Sequence, residues 1–259
     1  MNATQEPISI KLPLGKQVFF ASDFHLGVPN EAASRARERK IVHWLDTIAP
    51  QAHTIFLLGD LFDFWFEYKH VIPKGFIRFQ GKLAELVDAG IHIIFFTGNH
   101  DLWLFDYFPK ELGIPVYRSP HTVLINDFRL YVGHGDGLGK GDKTYKVLKK
   151  LFQSRFLQWL FTQVHPDRGI GFANWWSRKS RAANVQKDEE FLGEEEWLWA
   201  YSKEVEKRHH HDGYVFGHRH LPLNLEVGEA SRYINLGEWF KCCTYARCDG
   251  QTIELLKFT

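Results

Sequence analysis

The chain has 259 residues, 44% hydrophobic and 24% charged, with a formal net charge of +1. It is long enough to bury a full core without disulfides or an obligatory structural metal. Near-neutral charge excludes a global field that would draw the molecule to nucleic acid, so any electrostatic preference must be local.

The start, MNATQEPISIKLPLG, has no basic stretch followed by an apolar one and does not read as a secretory signal. No apolar run is long enough to span a bilayer, so the expectation is a cytoplasmic protein, soluble or held at a membrane surface. Five short apolar runs then recur: 17–22, 54–60, 92–99, 129–135 and 213–218. Each is rich in Val, Ile or Phe and ends in Gly or a polar group, the pattern of strands covered on both faces. Between the first three lie helical stretches. One covers Arg35–Ile48, with Ser34 as N-cap and Pro50 as stop. The other covers Gly75–Ala89 and closes at Gly90. Strand–helix–strand alternation predicts a largely parallel α/β sheet. From about Thr144 to Tyr201 the period is helical, with Tyr145, Leu148, Leu151, Phe152, Phe156, Trp159 and Leu160 on one stripe. A second helix is predicted near Glu189–Arg208, and after it the chain alternates and turns like antiparallel strands. The layout is one domain, 1–259, with a helical cap insertion at about 143–205. Cys242, Cys243 and Cys248 are odd in number and fit no zinc spacing, so they read as reduced thiols packed in a sheet. The His209–His211 run reads as solvated surface at a helix end.

The ends of the five apolar runs carry the chemistry. They lead into Asp23-Phe24-His25, Gly59-Asp60-Leu61-Phe62-Asp63, Gly98-Asn99-His100-Asp101, Gly133-His134-Gly135-Asp136 and Gly217-His218-Arg219-His220. Ligands of open α/β sheets bind at the carboxyl ends of the strands, so five clusters can converge on one site. Neutral imidazole, carboxylate and amide oxygen suit Mn, Fe, Co or Zn and fit all-oxygen Mg or Ca sites poorly. Asp23 and His25, like His218 and His220, stand two apart, which in extended chain points both to one side. Seven ligands exceed one tetrahedral ion and fit two divalent ions sharing a bridge, a clamp suited to phosphoryl transfer.

This order of motifs, from Asp23 to His220, resembles the calcineurin-like metallophosphoesterases. The resemblance implies a β-sandwich flanked by helices in four α/β/β/α layers. It implies that Asp23, His25, Asp60 and His220 hold one metal, and that Asp60, Asn99, His134 and His218 hold the other. It places His100 outside the coordination sphere, as stabiliser or proton donor, with Asp101 orienting it. Water would attack phosphorus in line, and no protein nucleophile is required. Mn²⁺ is the metal expected first, with Fe, Zn or Co also accepted by the ligand set. Asp63 is expected to brace its loop rather than touch metal.

Within that superfamily the chain looks like the bacterial UDP-2,3-diacylglucosamine diphosphatases of lipid A synthesis, which carry a helical insertion after the His-Gly-Asp element. Asp142 and Tyr145 match the spacing at the start of that insertion, and Ser180, Asn184 and Lys187 resemble its sugar- and phosphate-holding residues. The resemblance implies hydrolysis to UMP and 2,3-diacylglucosamine 1-phosphate. Two departures are visible: His100 stands where the best-known members have Arg, and Gly139-Lys140-Gly141 replaces more polar residues. From Lys140 to Arg181 ten Lys/Arg face two Asp, interleaved with Phe and Trp. That segment reads either as a helix packing its aromatic face on the core and solvating its basic face, or as a surface for an anionic bilayer, with an apolar cleft for acyl chains as the related reading. No nucleic acid and no obligatory protein partner are expected. The alternatives are a phosphoesterase of soluble nucleotides and a non-catalytic scaffold. The retained ligands and His100 argue against the scaffold.

Overall fold

The structure, a computed structural model, describes residues 6–140, 143–173, 175, 177 and 190–259. Asp142, Ser180, Asn184 and Lys187 lie outside these residues, as does the side chain of Tyr145.

Two six-stranded sheets face each other. The first runs β12–β11–β2–β3–β4–β5, from β2 (Gln17–Ala21), β3 (Ala52–Leu58), β4 (His92–Phe96), β5 (Val116–Tyr117), β11 (Thr244–Cys248) and β12 (Ile253–Lys257). Its β2 to β5 are parallel, whereas β11 runs antiparallel to both β2 and β12. The second runs β1–β6–β7–β8–β10–β9, from β1 (Ile8–Ile10), β6 (His121–Ile125), β7 (Phe128–Val132), β8 (Gly213–Phe216), β9 (Pro222–Val227) and β10 (Ser231–Leu236). The single largely parallel sheet expected from the alternation is thus half of a sandwich. The C-terminal strands do pair antiparallel, but β9 and β10 join one sheet while β11 and β12 join the other.

Three apolar layers follow from the strand patterns. Val18, Phe20, Phe56, Phe96, Val132, Val215 and Ile234 fill the space between the sheets. The alternate residues Phe19, Ile55, Leu57 and Phe95 point the other way and meet helices α1 (Glu31–Ile48) and α2 (Ile77–Asp88) around Trp44, Phe79 and Leu83. On the outer face of the second sheet, α6 (Trp197–Glu206) buries Leu198 against Tyr214, Phe216 and Tyr233. That helix supplies the fourth layer of the α/β/β/α sandwich, so the expected insertion boundary near 205 takes in a helix that belongs to the sandwich itself.

Helix α1 begins four residues earlier than read, because Asn30 Oδ1 caps it by accepting from Ala33 N at 2.9 Å. The Ser34 hydroxyl instead accepts from Gly27 N at 2.8 Å and holds the loop after β2. A short helix, α3 (Tyr107–Leu112), follows the β4 loop. Between β7 and β8 lie α4 (Lys143–Phe152) and α5 (Arg155–Thr162), with residues 166–173 again helical. The expected continuous apolar stripe is broken at Ser154, so Leu148 and Phe152 turn inward while Leu151, Phe156, Trp159 and Leu160 stay exposed.

Candidate metal centre

The carboxyl ends of β2, β3 and β4 from one sheet and of β7 and β8 from the other meet at one end of the sandwich. The loops leaving them lie against each other. A Cβ on Gly98 would stand 2.1 Å from Asp60 Oδ1, and one on Gly217 would stand 2.4 Å from Asp23 Oδ2. Glycine is required at both positions for the carboxylates to come inside the turn. Five of the expected ligands carry positive φ: Asp23 (55°), His25 (43°), Asp60 (53°), His218 (72°) and His220 (54°). Each such backbone costs on the order of 1–3 kcal/mol and persists only where surrounding structure demands it.

The side chains converge on two points. His25 Nε2 and His220 Nε2 are 3.0 Å apart, and Asp23 Oδ1 lies 3.2 Å from His220 Nε2 and 3.7 Å from His25 Nε2. Asp60 Oδ2 is 3.8 Å from His25 Nε2 and 3.3 Å from His134 Nε2, and so belongs to both groups. Asn99 Oδ1 lies 3.2 Å from His134 Nε2, and Asp60, His134 and His218 form the second cluster. Ligands about 2.0–2.2 Å from a metal lie about 3 Å or slightly more from each other, which is the spacing seen. Asp23 Oδ1 is fully buried and makes no hydrogen bond of regular geometry among the described residues. Buried polar atoms left in that state are rare, and a cation at the focus of the cluster would satisfy them. The donor set therefore fits two divalent ions bridged by Asp60.

Electrostatics agree. Burial would depress His134, but Asp60 outweighs it and lifts the imidazole to about 10. His25 is likewise lifted to about 9, with Asp23, Asp63 and Asp60 overcoming its burial. Carboxylates that raise an imidazole's proton affinity in this way also favour a cation, and a divalent ion held there would take the place of the proton. His218 goes the other way, to about 4, through burial and the charge of His134. His134 Nδ1 lies 2.8 Å from Leu58 O, a contact that orients Nε2 toward the cluster.

A match to the calcineurin-like phosphoesterase family runs over residues 16–222, from just before β2 to just past His220. The chain belongs to the calcineurin-like phosphoesterases. It is 38% identical over 252 residues to a UDP-2,3-diacylglucosamine hydrolase of Porphyromonas gingivalis, covering 92% of this chain and 96% of the relative. It is 29% identical over 231 residues to a protein of the same name from Aeromonas salmonicida, covering 86% of this chain and 85% of that one. The phosphoesterase is a metal-dependent hydrolase.

The supporting residues of this phosphoesterase depart from the expected roles in two places. Both Asp101 carboxylate oxygens accept backbone N–H groups, from Leu61 at 2.8 Å and Gly98 at 2.7 Å. Asp101 therefore ties the loops after β3 and β4 together, and His100 is positioned by other groups. His100 N donates to Asp60 Oδ1 at 2.8 Å, while its Nδ1 lies 2.9 Å from Asp63 O and 3.2 Å from Ser177 Oγ. Asp63 braces its loop and does more: Oδ1 stands 3.7 Å behind both His25 Nδ1 and His100 Nδ1, and Oδ2 accepts from Ser177 at 2.9 Å.

Three braces carry no motif signal. Arg37 of α1 donates to the carbonyls of Phe24 and His25 at 2.7 and 2.6 Å, fixing the strained turn that carries two ligands. Its guanidinium lies 4.3 Å above the Phe240 ring, which stacks on His25 with centroids 5.6 Å apart. Glu238 holds the Phe240 loop by accepting from the N–H groups of Phe240, Lys241 and Cys242. Arg219, fully buried between His218 and His220, pairs with buried Glu196 at 2.7 Å and donates to Glu190 O at 2.7 Å. The three cysteines are free thiols, Cys243 and Cys248 being buried in the core. Of the His209–His211 run, His211 departs from the surface reading: it is buried, with Nε2 3.0 Å from Thr122 Oγ1.

Proposed function

We propose that this chain hydrolyses the diphosphate of UDP-2,3-diacylglucosamine to UMP and 2,3-diacylglucosamine 1-phosphate. The observation that carries the reading is a cleft of about 320 Å³ that begins at Asn99 and His100 and is walled by Phe64, Trp103, Leu148, Phe152, Phe161 and Phe172. Apolar and aromatic walls beside the reacting phosphate suit an acyl chain of the substrate. Trp103 Nε1 donates to Phe152 O at 2.8 Å, fastening the helical segment to this wall. In this reading the insertion expected at about 143–205, apart from α6, caps the site, with Asp142, Tyr145, Ser180, Asn184 and Lys187 contributing to sugar and phosphate binding.

Asp23, His25, Asp60 and His220 would hold one ion, and Asp60, Asn99, His134 and His218 the other, with Mn²⁺ matching the mixed N/O donors. Such ions lower the pKa of water and neutralise charge on phosphate oxygens. His100 has its Nδ1 turned to Asp63 O, so the opposite edge of the ring meets the substrate. From there it stabilises the charge developing on the departing phosphate and delivers a proton to its oxygen. The aromatic wall excludes water from that side.

Phe156, Trp159, Leu160, Phe172 and Trp175 are all exposed on the helical segment, close in sequence to Lys149, Lys150 and Arg155. Basic and aromatic side chains in this mixture suit the interface of an anionic bilayer. The enzyme would work at the cytoplasmic membrane surface, where its substrate resides. No helix among the described residues is long and apolar enough to cross a membrane.

The test is UMP release from UDP-2,3-diacylglucosamine in detergent micelles by metal-stripped protein, with and without added Mn²⁺. Metal-dependent release is expected. An intact lipid beside rapid cleavage of a generic phosphodiester would reject the substrate.

A further inference from the structure

A second cleft, of about 400 Å³, opens beside His134, whereas the aromatic cleft opens beside His100. Its walls come from the end of β4, the 118–120 loop, the turn from His134 to Leu138 and the inner face of α4. Among its lining residues are Arg118, Lys146, Lys149 and Lys150, opposed by the carboxylate of Asp136 alone. Lys149 Nζ pairs with Asp136 Oδ2 at 2.6 Å, which leaves the cleft with a surplus of positive charge. Arg118 is held in place by the carbonyls of Leu102 and Leu104, contacts that fix a guanidinium without cancelling its charge. Thr97 lines the same cleft, and its buried hydroxyl has no hydrogen-bond partner among the described residues. A buried hydroxyl without a partner costs free energy that a ligand oxygen or N–H can recover.

We infer that this basic cleft receives the nucleotide half of the substrate, with Lys150 facing its anionic side and Thr97 bonding the ribose or base. The inference rests on the diphosphate reading above. The two halves of that substrate differ as the two clefts do: one half is apolar, the other anionic and rich in hydrogen-bonding groups. The scissile diphosphate joins the halves, and the Asp/His cluster runs from His25, beside His100, to His134. Hydrolysis of the P–O–P link adds water across one P–O bond, oxygen to phosphorus and protons to the freed oxygens, and gives two phosphate monoesters. UMP is then the product left in the basic cleft, and the phosphorylated lipid is left in the aromatic one.

Calorimetric titration of the Mn²⁺-loaded full-length protein with UMP and with inorganic phosphate separates nucleoside binding from phosphate binding at the metals. UMP is expected to bind more tightly than phosphate. Lys150→Glu should cut that preference by about tenfold and Thr97→Val by about threefold, the scale of one charged and one neutral hydrogen bond. Lys207→Glu, a charge change on the exposed end of α6, is the control and should leave the preference intact. Lys150 is exposed, so its variant tests the cleft even if the buried Thr97 change disturbs folding. A preference that survives both substitutions overturns the inference, whether or not the lipid is cleaved. A preference that depends on them while the lipid stays intact supports the cleft and rejects the lipid substrate.

Discussion

His100 stands in a frame built by three residues, Asp60, Asp63 and Ser177, and lies at the mouth of the aromatic cleft. Replacing it with Asn keeps a polar side chain, though a shorter one, and removes the titratable proton donor. We expect kcat to fall about 10²–10⁴-fold while metal content, read by elemental analysis, stays at the wild-type level. An unchanged kcat would remove His100 from the chemistry. Arg219 makes a different kind of contribution. It and Glu196 are both fully buried, so Arg219→Ala leaves a carboxylate uncompensated and should destabilise the fold by about 3–5 kcal/mol. Denaturant unfolding of metal-free protein measures this, and a loss under about 1 kcal/mol would show that the pair behaves as a surface contact. The clustered Asp, Asn and His residues were legible as a group because each stands close after an apolar strand, where local sequence and spatial position coincide. Arg37, Glu238 and Phe240 were not, since each meets the centre across the fold from another element and has no spacing to betray it. Asp101 misled for a related reason. Its place next to His100 suggests an orienting carboxylate, but in a tight turn its side chain reaches back to two amides.

At the level of elements, the strands that end in ligands were readable as continuous apolar runs, and β1, β5 and β6 were not. Two of those strands have only three and two residues, too few to show a period. Helix α6 was seen as a helix but not as a layer, because its apolar face finds its partner in β8 and β10. Glu206 at its end shows what that docking involves. Burial alone would raise this carboxyl, but hydrogen bonds from Tyr214, His210, the His211 amide and Ser231 bring it down to about 2. A carboxylate depressed below its usual value near 4.5 stabilises the fold above that pH and loses its contribution as pH falls toward 2. Glu206→Gln should therefore lower stability at neutral pH and flatten the acid limb between those values. Urea midpoints across pH 2–6 report it, and parallel wild-type and variant curves would contradict the assignment.

The whole molecule explains why two sheets are needed. Asp23, His25, Asp60 and Asn99 come from the first sheet, and His134, His218 and His220 from the second, so neither sheet alone supplies the full set proposed for either ion. The strained backbone at five ligands and the buried, unsatisfied carboxylate oxygen of Asp23 make the metal-free state costly. Metal should accordingly stabilise the sandwich as a unit, by about 2.7 kcal/mol at a free concentration one hundred times Kd. A thermal midpoint that does not move on chelation would contradict this.

The most direct measurement is metal stoichiometry by equilibrium dialysis against Mn²⁺ with elemental analysis, on the wild type and on Asp60→Ala. Asp60 bridges the two groups, so the wild type should hold two ions per chain and the variant should lose both from the high-affinity range. One ion in the wild type, or two retained in Asp60→Ala, would contradict a bridged two-metal centre.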